Sequence, residues 1–378
     1  MPLNDVSEEF RWIDYEHPDA FSGIHARLEE SLIEPMETLT LTLHQLGWKP
    51  FFREQLSAED RLYQPVRVTS VHRGMVRVAG EGIDGSISSS LAASRGPVDR
   101  PTVGDWILID PNSRRIARIL DRTSLFKRPS PGDERRVQLI AANIDTLFIV
   151  TSCNQDFNVA RIERYLVLAR DVSVSPVIVL TKSDLSPSPG HFVEAARALQ
   201  PGLQVELVNG RDTGSVASLA GYCRLGETVA LVGSSGVGKS TLVATLTGSD
   251  SIATQVVREG DGKGLHTTTV RQMYRLGIGA NASGWLVDTP GMRELQMSEV
   301  SSGVAEVFDD IMALTLECRF SNCTHIDEPG CAVRAAIVEG AISSVRFERW
   351  RKLADEDLVN TGAATGRRSR RVKGSKKN

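Results

Sequence analysis

No run of this 378-residue chain approaches eighteen consecutive apolar residues, so no membrane-spanning helix is expected. The first nine residues carry neither a basic leader nor an apolar core, so no signal peptide is expected and the chain is expected in the cytoplasm. There are only five cysteines, an odd number, which fits a reducing compartment better than a disulfide framework. Large net charge is also missing: the balance is −3, and nothing global announces nucleic acid. Hydrophobic content of 41% and charged content of 24% are ordinary for a globular protein, and the length allows two or three domains.

Charge is instead distributed unevenly. Residues 1–60 hold thirteen Asp and Glu against four Lys and Arg, and leucines at loose helical spacing. This is an acidic extension, whose segment Leu46 to Phe52 offers an aromatic cluster to a neighbour. The last twelve residues hold seven Lys and Arg and no acid, which is either a polyanion contact or a solvated tail. Between them, residues 61–125 show period-2 alternation at Val66/Val68, Val76/Val78 and Trp106/Leu108, punctuated by glycines, as in a small all-β barrel of the oligonucleotide-binding (OB) type. The segment from Ile83 to Pro101 reads as a Ser- and Gly-rich loop.

From Asp145 onward, short apolar runs alternate with helical patterns, the signature of a parallel sheet covered on both faces. Three chemical motifs sit at the ends of these runs. Gly233-Ser234-Ser235-Gly236-Val237-Gly238-Lys239-Ser240 follows one and opens into a helical stretch beginning at Thr241. Glycines there let backbone N–H groups turn inward around phosphates, and the helix start adds positive potential. Lys239 is placed to reach β and γ phosphates, and the Ser240 hydroxyl to bind Mg²⁺. Asp288-Thr-Pro-Gly291 ends another run, where Asp288 suits Mg²⁺ and the Gly291 N–H a γ-phosphate. Thr181-Lys182-Ser183-Asp184 ends a third. A carboxylate at Asp184 accepts from both N1–H and the exocyclic amine of guanine, a donor pair that adenine lacks. Asn209 and Gly210 occupy the place of a second base-contacting loop.

These motifs come in an unusual order, because the base-reading element precedes the phosphate loop. A permuted G domain over residues 126–297 accounts for it. Further on, Cys318-x4-Cys323-x-His325-x5-Cys331 gathers three thiols and an imidazole within fourteen residues. That is a complete tetrahedral zinc shell with no open position, which makes residues 298–360 a small helical zinc-binding domain ahead of a basic tail at 361–378.

Taken together with Val103-Gly-Asp-Trp106 and Gly264-Leu-His-Thr-Thr-Thr269, these residues resemble the circularly permuted, ribosome small-subunit-dependent GTPases of the RsgA type, over roughly residues 40–360. The resemblance implies a multidomain fold: an OB-type barrel, an α/β phosphate-loop G domain and a zinc domain. It implies GTP hydrolysis to GDP, stimulated by the 30S subunit and its rRNA, during late subunit maturation. Neither a membrane nor a second copy of the chain is expected as a partner.

Within Gly260 to Thr269, Thr268 is the expected Mg²⁺ ligand of a switch that orders with GTP. Many G proteins place a water-orienting Gln where this chain has Met292. His266 is the nearest polar alternative, and the resemblance favours it over a solvated loop histidine. Arg114, Arg115, Arg118 and Arg122, with Lys127, Arg128, Arg135 and Arg136 in the connector from Leu125 to Asn143, are available for RNA phosphates or for plain solvation. An RNA-binding scaffold that barely hydrolyses GTP, and a phosphate-loop ATPase, are the competing readings.

Overall fold

The computed structural model describes residues 41–72, 74–90, 99–130, 133–249, 271–277, 283–288 and 300–374. Residues 41–48 form turns rather than the helix suggested by leucine spacing, and a short helix α1 follows (Pro50–Arg53). The β-rich unit then contains β1 (Gln64–His72), β2 (Met75–Gly80), β3 (Ile83–Ser88), β4 (Trp106–Ile109) and β5 (Ile116–Ile119). Its strands are antiparallel and lie in the order β3-β2-β1-β4-β5. β3 occupies the start of the segment expected to be a loop. Val66, Val68, Val76, Val78, Ile107, Ile109 and Ile116 form its core.

A hairpin follows, β6 (Leu125–Ser130) with β7 (Asp133–Ala142), where the sequence suggested only a connector. The G domain contains β8 (Thr146–Ser152), α2 (Val159–Asp171), β9 (Ser175–Thr181), α3 (Pro189–Arg197), β10 (Gln204–Leu207), α4 (Thr213–Val216), β11 (Thr228–Val232), α5 (Lys239–Thr247), β12 (Arg271–Arg275) and β13 (Trp285–Asp288). Its strand order is β10-β9-β8-β11-β13-β12. All neighbours are parallel except β12 and β13. β8 and β9 are almost wholly buried on both faces, which is why they read as unbroken apolar runs rather than alternations. Between β8 and β11 the chain reverses its direction of travel across the sheet. Ligands bind outside the carboxyl ends of strands at such a point.

The two units share one sheet. The end of β1 pairs with β12, Ser70 opposite Gln272 and Val71 opposite Arg271. Arg67, which alternation would point to solvent, is only 2% exposed at this junction. Its guanidinium donates to the carbonyls of Leu46, Gly104 and Asn143 and to the Thr228 hydroxyl. Burial drops its pKa to about 10, opposed by the charges of Asp145, Asp105 and Glu227. Trp48 meets Trp106 edge-on with ring centres 4.7 Å apart. The Lys49 ammonium lies 2.6 Å from Asp145 and 3.3 Å from Glu227. Residues 46–52 therefore belong to the body of the protein, wedged across the junction. Residues 1–40 of the acidic extension lie outside the described residues.

The carboxy-terminal helices are α6 (Ser301–Val307), α7 (Asp309–Leu316), α8 (Ala332–Val338) and the long α9 (Ser344–Gly374). The backbone of the basic tail is thus helical as far as Gly374. α6 packs on α2, with Ser302 Oγ donating to Asp171 at 2.7 Å. α9 reaches the same helix through ions. Glu163 is fully buried and accepts from Arg349 at 2.5 and 3.0 Å and from Arg346 at 3.4 Å. Next to it, Arg164 makes a two-pronged pair with Glu356 at 2.6 and 2.7 Å.

Candidate functional site

The phosphate-loop motif leaves β11 and enters α5, whose last turn ends at the left-handed Gly248 (φ 67°). Gly233 has φ 147° and lies so close to β8 that a Cβ would collide with the Val150 carbonyl. Gly238 has φ 95°, and there a Cβ would sit 3.4 Å from the Thr181 hydroxyl. Lys239 is buried, and its ammonium donates to the loop's own carbonyls at Gly233 (2.8 Å) and Ser234. Those bonds fix the head group inside the curl of the loop. Ser240 and Thr241 form the first turn of α5, while Ser235 and Gly236 are exposed at the loop crest.

Thr181 closes β9 and is 1% exposed. Its hydroxyl donates to the Val237 carbonyl at 2.5 Å and also lies 3.2 Å from the Thr151 carbonyl. This bond joins the motif expected to read the base directly to the phosphate-loop motif, although 56 residues separate them in the chain. Lys182 then takes the left-handed conformation (φ 56°), which turns the chain sharply into Ser183 and the exposed Asp184. The Ser183 N–H points to the Val208 carbonyl at 3.5 Å, linking this turn to the next strand's exit. There, Gly210 accepts a 2.6 Å bond from Thr245 on α5. The Asn209 side chain is used locally, accepting from the Arg211 N–H at 3.1 Å. Three loops far apart in sequence thus converge at the carboxyl edge of the sheet, around the start of α5.

Asp288 ends β13, with its backbone paired to Gln272. Its side chain, and Gly291, Met292, His266 and Thr268, lie outside the described residues. Sequence reading missed Arg161, in the first turn of α2, whose guanidinium donates to Ser234 Oγ at 2.8 Å. No local signal marks it, because the contact spans 73 residues.

The Cys and His cluster forms a second centre. Ligand atoms of Cys318, Cys323, His325 and Cys331 all lie within 4.8 Å of one another. Cys318 Sγ is 3.6 Å from His325 Nδ1 and 4.0 Å from Cys331 Sγ, and Cys331 Sγ is 3.4 Å from His325 Nδ1. A tetrahedral zinc shell with Zn–S near 2.3 Å has sulfur–sulfur edges of about 3.8 Å, so the cage fits Zn²⁺. Burial raises the Cys318 thiol. The N–H groups of Val333 and Ala332 at the start of α8, with the neighbouring thiols, outweigh that and leave it below its ordinary value. Burial keeps His325 low and therefore neutral, the ligating form. His325 itself is left-handed (φ 61°), which turns its ring back to the thiols. The Glu328 carboxylate accepts from Thr324 and Ile326 and braces the loop. Cys153 and Cys223 are buried, with burial pushing their pKa values up to about 11 and about 12, so neither is a reactive thiolate.

Two of the arginines offered for RNA are committed inside the protein. Arg118 pairs with Asp60 at 2.8 Å, and Arg122 grips the fully buried Asp105 at 2.7 and 2.8 Å. Arg114 and Arg115 are exposed.

Residues 119–298 match the family model described as RsgA GTPase. A small ribosomal subunit biogenesis GTPase RsgA of Mesorhizobium japonicum is 46% identical over 340 residues, covering 89% of this chain and 96% of the relative. This chain belongs to the RsgA GTPase family. An RsgA 2 of Vibrio vulnificus is 44% identical, over 87% of this chain and 92% of the relative. Among solved structures, the RsgA fold matches YjeQ from Thermotoga maritima with a TM-score of 0.55 at 25% identity, over 79% of this chain and 99% of that one. It also matches YloQ, described as a circularly permuted GTPase, with a TM-score of 0.54 at 22% identity, which bears on the fold alone. As an RsgA GTPase the protein is a GTP hydrolase that takes GTP with Mg²⁺.

Proposed function

We propose that this GTPase acts on the small ribosomal subunit and contacts its rRNA during late maturation, with turnover that rises when the subunit is bound. The hydrogen bond from Thr181 to Val237 is the observation that supports the reading, since it joins the motif proposed to read the purine to the loop proposed to bind the phosphates. In it, Asp184 reads the guanine edge, Lys182 lays its aliphatic stem along the base, and Asn209 and Gly210 flank it. Gly233 to Thr241 wrap the phosphates, with Lys239 supplying charge and Ser240 a hydroxyl for the metal. Ser240, Asp288 and Thr268 would hold Mg²⁺, which would supply positive charge to offset that of the phosphates. His266 orients the attacking water in place of the Gln that Met292 replaces, and the Gly291 N–H senses the γ-phosphate. Cys318, Cys323, His325 and Cys331 hold one structural Zn²⁺. The protein works as a cytoplasmic monomer.

The domain limits are proposed as 61–125 for the barrel, 126–297 for the GTPase, 298–360 for the zinc domain and 361–378 for the basic tail. Arg114 and Arg115 on the barrel and the basic carboxy-terminal helix supply salt-sensitive contacts to RNA phosphates.

Turnover with and without purified small subunits, in the wild type and in His266→Ala, tests the reading. Subunits are expected to raise kcat in the wild type and to lose most of that effect in the variant. Equal turnover with and without subunits in the wild type would refute it.

A further inference from the structure

We propose that Arg161 is a positioning residue for GTP hydrolysis, acting on the phosphate loop through the Ser234 hydroxyl. The inference rests on the reading of Gly233 to Ser240 as the triphosphate site.

The loop needs external anchors. It holds three glycines at positive φ, Gly233, Gly236 and Gly238, and such a backbone has few steric limits of its own. Among the described residues, two side chains from other elements hold it. Thr181 binds the carbonyl of Val237 near its end, and Arg161 binds Ser234 near its start, at 2.8 Å. Ser234 is also where Lys239 is fixed, because its carbonyl accepts from the Lys239 ammonium. Arg161 and Lys239 thus converge on one residue, the former through its hydroxyl and the latter through its carbonyl. Movement of Ser234 therefore disturbs the Lys239 ammonium, which the Gly233 carbonyl also holds, and small displacements of a phosphate-binding group are costly in the transition state.

Arg161 is presented from a fixed base. The Asn158 side chain caps α2 by accepting from the Arg161 N–H at 3.0 Å. Two residues on, Glu163 is fully buried between Arg346 and Arg349 of α9, and Arg164 is paired to Glu356. The turn carrying Arg161 is thus bound to the carboxy-terminal helix on one side and to the phosphate loop on the other. Met292 in the place of a water-orienting Gln makes alignment of the phosphates by the loop more important.

The test compares wild type, Arg161→Ala, Arg161→Lys, Ser234→Ala and the Arg161→Ala/Ser234→Ala double variant in full-length protein. Subunit-stimulated kcat and KM for GTP are measured by steady-state turnover, and GDP affinity by fluorescence titration. Arg161→Ala and Ser234→Ala are each expected to lower kcat about tenfold, with KM and GDP affinity within about twofold. The double variant should be no slower than either single one, because both remove the same contact. Arg161→Lys should recover part of the loss. The proposal is overturned if Arg161→Ala keeps kcat within about twofold of wild type, if the two losses multiply in the double variant, or if the loss falls on KM and GDP affinity alone. The underlying site reading fails separately: Lys239→Ala with unchanged GTP and GDP affinity would sink it, whatever Arg161 does.

Discussion

At the scale of single residues, the decisive contacts are buried polar groups that tie distant segments together. Arg67 serves four segments at once. Replacing it with Met leaves three carbonyls and a hydroxyl without their donor, so Arg67→Met should cost about 3 kcal/mol or more in urea unfolding. A midpoint unchanged from wild type would contradict the role given to it. Asp184, in the proposed function, governs base choice by a different logic. Asp184→Asn replaces one acceptor with a donor, so GDP affinity should fall by about tenfold or more. Xanthosine diphosphate, which carries a carbonyl where guanine has its amine, should regain part of it in the same titration. Both residues were visible in the sequence, but only Asp184 announced itself. It belongs to a four-residue motif at a strand end, whereas Arg67 falls at the polar position between Val66 and Val68 of an alternating strand, with no motif around it.

At the scale of elements, the zinc knuckle sits against α9 through the His325 and Trp350 rings, and α9 is fastened to α2 by ion pairs. Cys318 to Cys331 make a closed cage, and Cys331 also caps α8 by accepting from the Arg334 N–H at 3.5 Å. Cys323→Ser should therefore remove about one equivalent of zinc by elemental analysis and lower the melting temperature of the carboxy-terminal helices. Chelation should have the same effect. GDP affinity should stay within about twofold, since no cage residue touches the phosphate loop among the described contacts. The cage could be read from spacing because its ligands are local. The Glu163 clamp could not, because its partners are 183 and 186 residues away.

At the scale of the whole molecule, the β-rich unit and the G domain are one sheet with a shared wedge of residues at 46–52. They should unfold together, giving a single calorimetric transition that carries signals from both Trp106 and Trp285. Resolution into two separate melts would argue against that unity. Acid stability depends in part on the same region. Arg118 holds the Asp60 carboxyl well below its ordinary value of 3.8, helped by the Ser57 N–H. A depressed carboxylate stabilises the fold above its unfolded pKa, and that contribution is lost as pH falls through the folded value. The stability gap between wild type and Asp60→Asn should therefore be constant from pH 7 to about pH 5 and shrink below about pH 4. A gap that widened on acidification would reverse the sign argued here.

Chemistry and order were written in the chain itself. Strand-end motifs, a local thiol and imidazole cluster and their permuted succession are short-range patterns, each carried by a few neighbouring residues. Tertiary structure alone decided which of those strand ends share an edge, that residues 46–52 pack into the body, that Arg118 and Arg122 serve internal carboxylates, and that Arg161 reaches Ser234. Each of these depends on side chains meeting across dozens to hundreds of residues. Such meetings are set by sheet order and burial, and neither leaves a periodic trace in the linear sequence.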